Sequence, residues 1–316
     1  MTARPTSPPS PPTPAGQSLG AMPCCLSSFL GRVIHGDNCE TLAAMPAESV
    51  DLVVTSPPYD DLRTYGGHSW DFERLAGELT RVLKPGGVIV WVVADATVNG
   101  SETLTSMRQA IHFKDVCGLN VHDTMVYEKA GTGACGSNLA YWQTWEFMFV
   151  LSKGRPNAVN RLKTQNLSAG VKTTPRTVMK GNRDSDAVRV VEDEGVRANI
   201  WRYNVNKHGM ENTGHPAPFP IALAKDHVAS WSNPGDVVLD PFAGSGTTLK
   251  AAKELGRRFV GIEINAEYVE ICHRRLAQEV LNLFPDNSVF SDRKVDTFRD
   301  CGKINLRDHF GIIDFQ

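Results

Sequence analysis

The chain has 316 residues, 41% hydrophobic and 22% charged, with a formal net charge of −2. That length and balance fit one large globular domain with a small insert, and they exclude recognition of nucleic acid by overall positive charge, so charge has to be read locally. No run of about 18 apolar residues is present to span a membrane. The seven cysteines (24, 25, 39, 117, 135, 272 and 301) contain no CxxC pair. Neither a zinc site nor a disulfide framework is therefore expected, and the odd count fits a reducing cytoplasm.

The first 30 residues open with MTARPTSPPSPPTPAGQ, a Pro/Ser/Thr-rich text with no apolar signal core, and read as a disordered tail or a non-native start. Regular patterning begins near residue 31. Val50 to Val54 is a β-branched run stopped by Pro57 and Pro58, as expected of a buried strand that ends in a loop. Trp70 to Leu83 places Phe72, Leu75, Leu79 and Val82 at helical spacing, and Pro85-Gly86-Gly87 follows as a stop signal. Val88 to Val93 is then continuously apolar. Strand, helix and strand in this order predict a βαβ unit in a parallel sheet. The far end repeats the pattern: a strand at Val237–Leu239, a helix at Leu249–Leu255, a strand at Arg258–Ile264, and an amphipathic helix at Ala266–Leu276. Between the two blocks, residues 152–207 carry twelve Lys/Arg against five Asp/Glu, a local balance of +7. This is read as a basic, loop-rich insert. No interpretable pattern marks residues 285–316.

DPFAGSGTT (240–248) lies where a strand meets a helix. Glycines there let a ligand approach the backbone, and a helix N-terminus favours negative charge. A phosphate-binding P-loop would need a Lys after the second glycine, and a dinucleotide fingerprint would need a third glycine where Leu249 stands. A cofactor without the pyrophosphate, such as S-adenosyl-L-methionine, fits better. Glu263, at the end of the next strand, is placed to accept from ribose hydroxyls.

The second motif is Ser56-Pro57-Pro58-Tyr59. The exocyclic amine of a nucleobase is a poor nucleophile because its lone pair is delocalised into the ring. Acceptors aimed at its two hydrogens favour the sp³ geometry it needs to attack a methyl sulfonium. Two prolines fix φ and remove two N–H donors, so the loop presents carbonyls without competing donors. Ser56 adds an acceptor, and Tyr59 adds a ring face for stacking.

With both motifs in hand, the chain resembles the DNA amino-methyltransferases, which methylate N4 of cytosine or N6 of adenine. The resemblance runs from about Gly31 to Leu276. Ser56 to Tyr59 match the family's catalytic motif, and Asp240 to Gly246 its cofactor loop. The catalytic motif comes first, an order that resembles the family's β group, with a target-recognition region between the halves.

The resemblance implies an α/β, Rossmann-like, S-adenosylmethionine-dependent methyltransferase fold, circularly permuted, with a mostly parallel sheet and a small basic target-recognition insert. The implied divisions are a tail at 1–30, a catalytic half at 31–151, the insert at 152–207, a cofactor half at 208–284 and an unassigned extension at 285–316. Catalytic candidates are Ser56, Pro57, Pro58 and Tyr59. Cofactor candidates are Asp37 for the adenine ring, Glu263 for the ribose, Asp240, Phe242, Gly244, Ser245 and Gly246 of the loop, and His215 near the methionine end. Trp145 to Val150 resembles a strand bordering the target-base pocket. Arg161, Lys163, Arg176, Lys180 and Arg183 are the candidate DNA contacts, and no metal is called for. Double-stranded DNA is the implied partner, with a cognate restriction endonuclease as a further one in a restriction–modification system, in the cytoplasm. Ser at the first motif position favours N4 of cytosine; N6 of adenine is the alternative, and an RNA methyltransferase or a non-catalytic nucleic-acid binder are further ones. A duplex target would have to be flipped out of the stack to be reached.

Overall fold

The structure is a computed structural model and describes residues 25–58, 70–130, 141–173, 189–205 and 220–278. In chain order it begins with β1 (Arg32–His35), α1 (Asn38–Ala44) and β2 (Val50–Thr55). Then come α2 (Phe72–Val82), β3 (Leu83–Val93), the short pair β4 (Thr97–Val98) and β5 (Ser101–Glu102), and α3 (Thr105–Asp115). Next are the long β6 (Asn120–Ala130) and β7 (Trp145–Ser152). Short ribbons follow: β8 (Lys163–Gln165), β9 (Lys172–Thr173), β10 (Arg189–Val190) and β11 (Glu194–Val196). The chain then returns through β12 (Ile200–Asn204), α4 (Ile221–Trp231), β13 (Val237–Asp240), α5 (Thr247–Glu254), β14 (Arg258–Glu263) and α6 (Ala266–Ala277).

Eight strands form one sheet in the order β1-β14-β13-β2-β3-β7-β6-β12. Within it β7 runs antiparallel to both neighbours, and every other pairing is parallel. The expected mixed α/β fold with a mostly parallel sheet is what forms. Both faces are covered. Val88, Val90 and Val92 of β3 pack with Leu223 and Val228 of α4 and Leu249 of α5. Ile89, Trp91 and Val93 pack with α1, α2 and α3 through Leu42, Leu75, Leu79 and Phe113. A strand buried on both sides reads as an unbroken apolar run, which is how 88–93 appears in the sequence.

Pro85-Gly86-Gly87 behaves differently from its sequence signal. It ends α2, yet it lies inside β3 rather than before it. Gly86 takes φ +78°, its N–H donates to the Lys153 carbonyl at 2.7 Å, and the Lys153 N–H donates to the Gly87 carbonyl at 3.1 Å. The glycines thus pair with the end of β7 through an irregular step that a side chain at Gly86 would oppose.

The last strand of the sheet, β12, falls within 152–207. It is tied to α4 by side chains: Arg197 pairs with Asp226 at 2.7 Å, the Tyr203 hydroxyl donates to Asp226 at 2.6 Å, and Trp201 stacks on His227 at 4.6 Å. Burial, with the nearby Arg197 charge, pushes His227 down to about 3, so it stays neutral there.

The chain leaves β13 through α5 toward β14, and leaves β2 through α2 in the other direction, toward β3. Between β13 and β2 the winding reverses. In open α/β sheets the crevice at the carboxyl ends of such a strand pair is where ligands bind. Among the described residues, no helix is long and apolar enough to cross a membrane.

The approach of α5 to β14 depends on Gly261. A Cβ there would lie 2.4 Å from Leu249 Cδ1 and 3.3 Å from Ala243 Cβ, and Leu249 is fully buried. Gly261→Ala is expected to cost about 1–3 kcal/mol by overpacking, read as a lower midpoint with unchanged slope in urea unfolding.

Candidate active site

The carboxyl ends of β2 and β13 bring the two sequence motifs together. The ladder between these strands pairs Val238 with Leu52 and Leu239 with Val53. One step further on, side chains take over. Thr55 Oγ1 donates to Asp240 Oδ1 at 2.7 Å, and Thr248 Oγ1 donates to the Val54 carbonyl at 3.1 Å. Ser56 and Pro58 are half-buried just beyond, and Pro57 is buried. Tyr59 and His215 lie outside the described residues, as do Arg176, Lys180 and Arg183.

Asp240 is buried and also accepts from the Phe242 N–H at 3.1 Å. Burial pushes its carboxyl up to about 6. The bonds from Thr55, Phe242 and Thr248 work against that rise, and the Glu263 charge adds to it.

The loop after β13 turns through glycine. Gly244 takes φ +51° and Gly246 +78°, and a Cβ on Gly246 would sit 3.0 Å from Cys272 Sγ. Several of the loop's donors are spent inside the protein. The Ala243 N–H donates to the Ile262 carbonyl at 2.9 Å, the Gly246 N–H to the Ala243 carbonyl at 2.7 Å, and the Gly244 N–H to Glu263 Oε2 at 2.7 Å. With Phe242 also engaged, the loop commits four N–H groups that a diphosphate would want, and it faces two carboxylates, Asp240 and Glu263. Such a cradle suits a ligand that is cationic rather than polyphosphate. The donor set therefore fits S-adenosyl-L-methionine.

Glu263 accepts twice, from Gly244 and, through Oε1, from the Asn265 N–H at 2.9 Å. A carboxylate has about four acceptor positions, so capacity for hydroxyls is left over. Asp37 is the N-cap of α1, its carboxylate accepting from the Glu40 N–H at 2.9 Å. Asn38 Nδ2 donates to the Pro241 carbonyl at 3.4 Å and docks this corner on the loop. Phe242 is half-buried, edge-on to Trp70 at 5.2 Å, so it belongs to the core as well as to the loop.

Further along the carboxyl rim, β7 begins at Trp145, 40% exposed, and its neighbour Glu146 is buried in an ion pair with Lys129. Arg161 and Lys163 are both exposed, ahead of and at the start of β8. Among the described residues, no group of three or more His, Cys, Asp or Glu could hold a metal ion.

Sequence reasoning missed Thr55, Thr248, Cys272 and Arg275. The buried Arg275 guanidinium, on α6, donates to the Ser245 carbonyl, to Ser245 Oγ at 3.1 Å and to Thr247 Oγ1 at 3.3 Å, supporting the loop from behind. Cys272 Sγ donates to the Gly244 carbonyl at 3.0 Å.

Residues 50–274 match the DNA methylase family. The chain belongs to that family. Among its relatives, the orphan methyltransferase M.BamHII of Bacillus amyloliquefaciens is 46% identical over 248 residues, covering 74% of this chain and 91% of the relative. The DNA adenine methyltransferase YhdJ of Escherichia coli (strain K12) is 30% identical over 268 residues, covering 81% and 86%. A candidate DNA modification methylase of Thermus thermophilus, solved in complex with S-adenosyl-L-methionine, is 28% identical with a TM-score of 0.53, over 78% of this chain and 93% of that one. The permuted order of a DNA methylase explains why strands from the two ends of the chain meet at β2 and β13.

The raised Asp240 carboxyl makes a pH prediction. Its protonated form is favoured in the fold, so its contribution to stability is full below about pH 4 and is lost as pH rises through about 6. The displacement corresponds to on the order of 3 kcal/mol. Asp240→Asn removes the ionisation. Its stability relative to the parent is expected to rise by that amount between pH 4 and pH 7.5, measured by urea unfolding at each pH.

Proposed function

We propose that this DNA methyltransferase acts on the N4 amine of cytosine in duplex DNA. The observation that supports methyl transfer at this crevice is the Thr55–Asp240 hydrogen bond, which joins the strand ends that carry the Ser-Pro-Pro loop and the glycine loop; the choice of cytosine rests on Ser56. The cofactor is S-adenosyl-L-methionine, and when bound it supplies an electrophilic methyl group on a sulfonium.

Ser56 Oγ and the Pro57 carbonyl accept the two hydrogens of the amine and turn its lone pair out of the ring plane. Tyr59 stacks on the flipped base, and water takes the surplus proton. Glu263 holds the ribose through its remaining acceptor positions, Asp37 serves the adenine ring, Phe242, Ser245 and the two glycines line the cradle, and His215 is assigned to the methionine end. Within residues 152–207 the ribbons that precede β12 act as the recognition insert, between a catalytic half at 31–151 and a cofactor half at 208–284, while β12 itself belongs to the central sheet. Arg161 and Lys163, with Arg176, Lys180 and Arg183, contact phosphates and position the duplex.

Serine at the head of the motif supports cytosine over adenine. The alternative, N6 of adenine, is favoured by one observation: the relative YhdJ is a DNA adenine methyltransferase. A restriction endonuclease partner belongs to the same reading, although methyl transfer does not depend on one.

The test is chemical. Duplex DNA and methyl-labelled cofactor are incubated with the protein, digested to nucleosides and separated by mass spectrometry. Label is expected in N4-methylcytosine, reduced about 10²-fold in Ser56→Ala and Tyr59→Ala. Label in N6-methyladenine would move the target to adenine, and no label in DNA would overturn the reading.

A further inference from the structure

The two loops that must cooperate in methyl transfer come from opposite halves of the chain, 185 residues apart at Thr55 and Asp240. No short covalent path fixes their separation. The backbone ladder between β13 and β2 ends at Leu239 and Val53, short of both motifs. What continues it is a buried set of side-chain bonds: Thr55 to Asp240, and Thr248 to the Val54 carbonyl. Thr55 and Thr248 are fully inaccessible to solvent, and Asp240 is nearly so. A valine would fill the same space as Thr55, so packing alone does not ask for a hydroxyl there.

We infer that Thr55 is a positioning residue for methyl transfer: its hydroxyl, held by Asp240, sets the catalytic Ser-Pro-Pro loop at the distance from the glycine loop that the reaction needs. This rests on the reading of Ser56 and Pro57 given above. Thr55 touches neither the base nor the cofactor in this role. It is followed directly by Ser56, so a slip at Thr55 is passed to the amine acceptors. Displacements of about 1 Å in such groups cost on the order of 10²-fold in rate.

Thr55→Val keeps the shape and removes the donor. Its single-turnover rate of methyl transfer to DNA is expected to fall by at least about tenfold. The Kd for S-adenosyl-L-methionine, measured by calorimetry without DNA, should stay within about threefold of the parent, since Asp240 keeps its Phe242 N–H donor and the glycine loop keeps its bonds to Glu263 and Arg275. Thr55→Ser restores the donor and should restore the rate. A second readout needs no activity: the Asp240 carboxyl, followed by ¹³C NMR, should titrate at higher pH in Thr55→Val and return in Thr55→Ser. The groups that face Asp240 in that titration are Thr55, Thr248, the Phe242 N–H, Glu263 and the Cys272 thiol. If Thr55→Val does not fold, Thr55→Cys, with its weaker donor, carries the same expectations.

An unchanged rate in Thr55→Val, or a loss matched by weaker cofactor binding, would overturn the role of Thr55 and leave the reading of the site standing. A parent protein that transfers nothing to any DNA would overturn both.

Discussion

The contact between Thr55 and Asp240 is the constraint on which the site depends. It joins the end of one strand to the end of its neighbour at the point where the sheet changes direction of winding. The described residues of both motifs are arranged around that junction. On one side lie the serine and two prolines, and on the other the glycine loop, with four of its N–H donors already engaged. The junction is buried, and that is why Asp240 resists ionisation and why the hydroxyls of Thr55 and Thr248 matter. In a buried setting an unanswered acceptor is costly, so each of these groups holds the others in place.

The glycine loop also explains a choice of ligand that glycine count alone leaves open. Many strand–glycine–helix turns bind phosphate by pointing free N–H groups at it. Here Phe242, Ala243, Gly244 and Gly246 donate inward, and the charges nearby are carboxylates. The local field favours a cation. Arg275 does not undo this, because its guanidinium is turned to the back of the loop and engaged with Ser245 and Thr247.

Much of the architecture was legible in the sequence. The βαβ units announced themselves through apolar runs and helical spacing, and the two motifs marked strand ends by their prolines and glycines. What stayed hidden has physical causes. Pro85-Gly86-Gly87 looked like a break because local rules cannot see that Gly86 pairs with Lys153 across the sheet. β12 is short and alternates Trp201 and Tyr203 with exposed residues, so in a basic stretch it passed as loop. Thr55 and Arg275 carry no local signal at all. One is the last residue of an ordinary strand, and the other is one arginine on an amphipathic helix. Their partners lie about 30 residues or more away, so they became visible only once the fold brought α6 under the loop and β13 beside β2.

The strand order has a consequence for how the protein comes into being. β1 pairs with β14, and β2 pairs with β13. On a ribosome, the N-terminal strands emerge long before the two that separate them in the sheet. Until about residue 240 has left the exit tunnel β2 keeps one edge bare, and until about residue 263 has left it β1 has no neighbour to pair with. The nascent chain must carry that open edge through most of its synthesis, which is the situation in which unpaired strands recruit wrong partners. The β1 side of the sheet is therefore completed last, by the segment that also brings the cofactor cradle, so the crevice can form only after β2 and β3 are waiting for it.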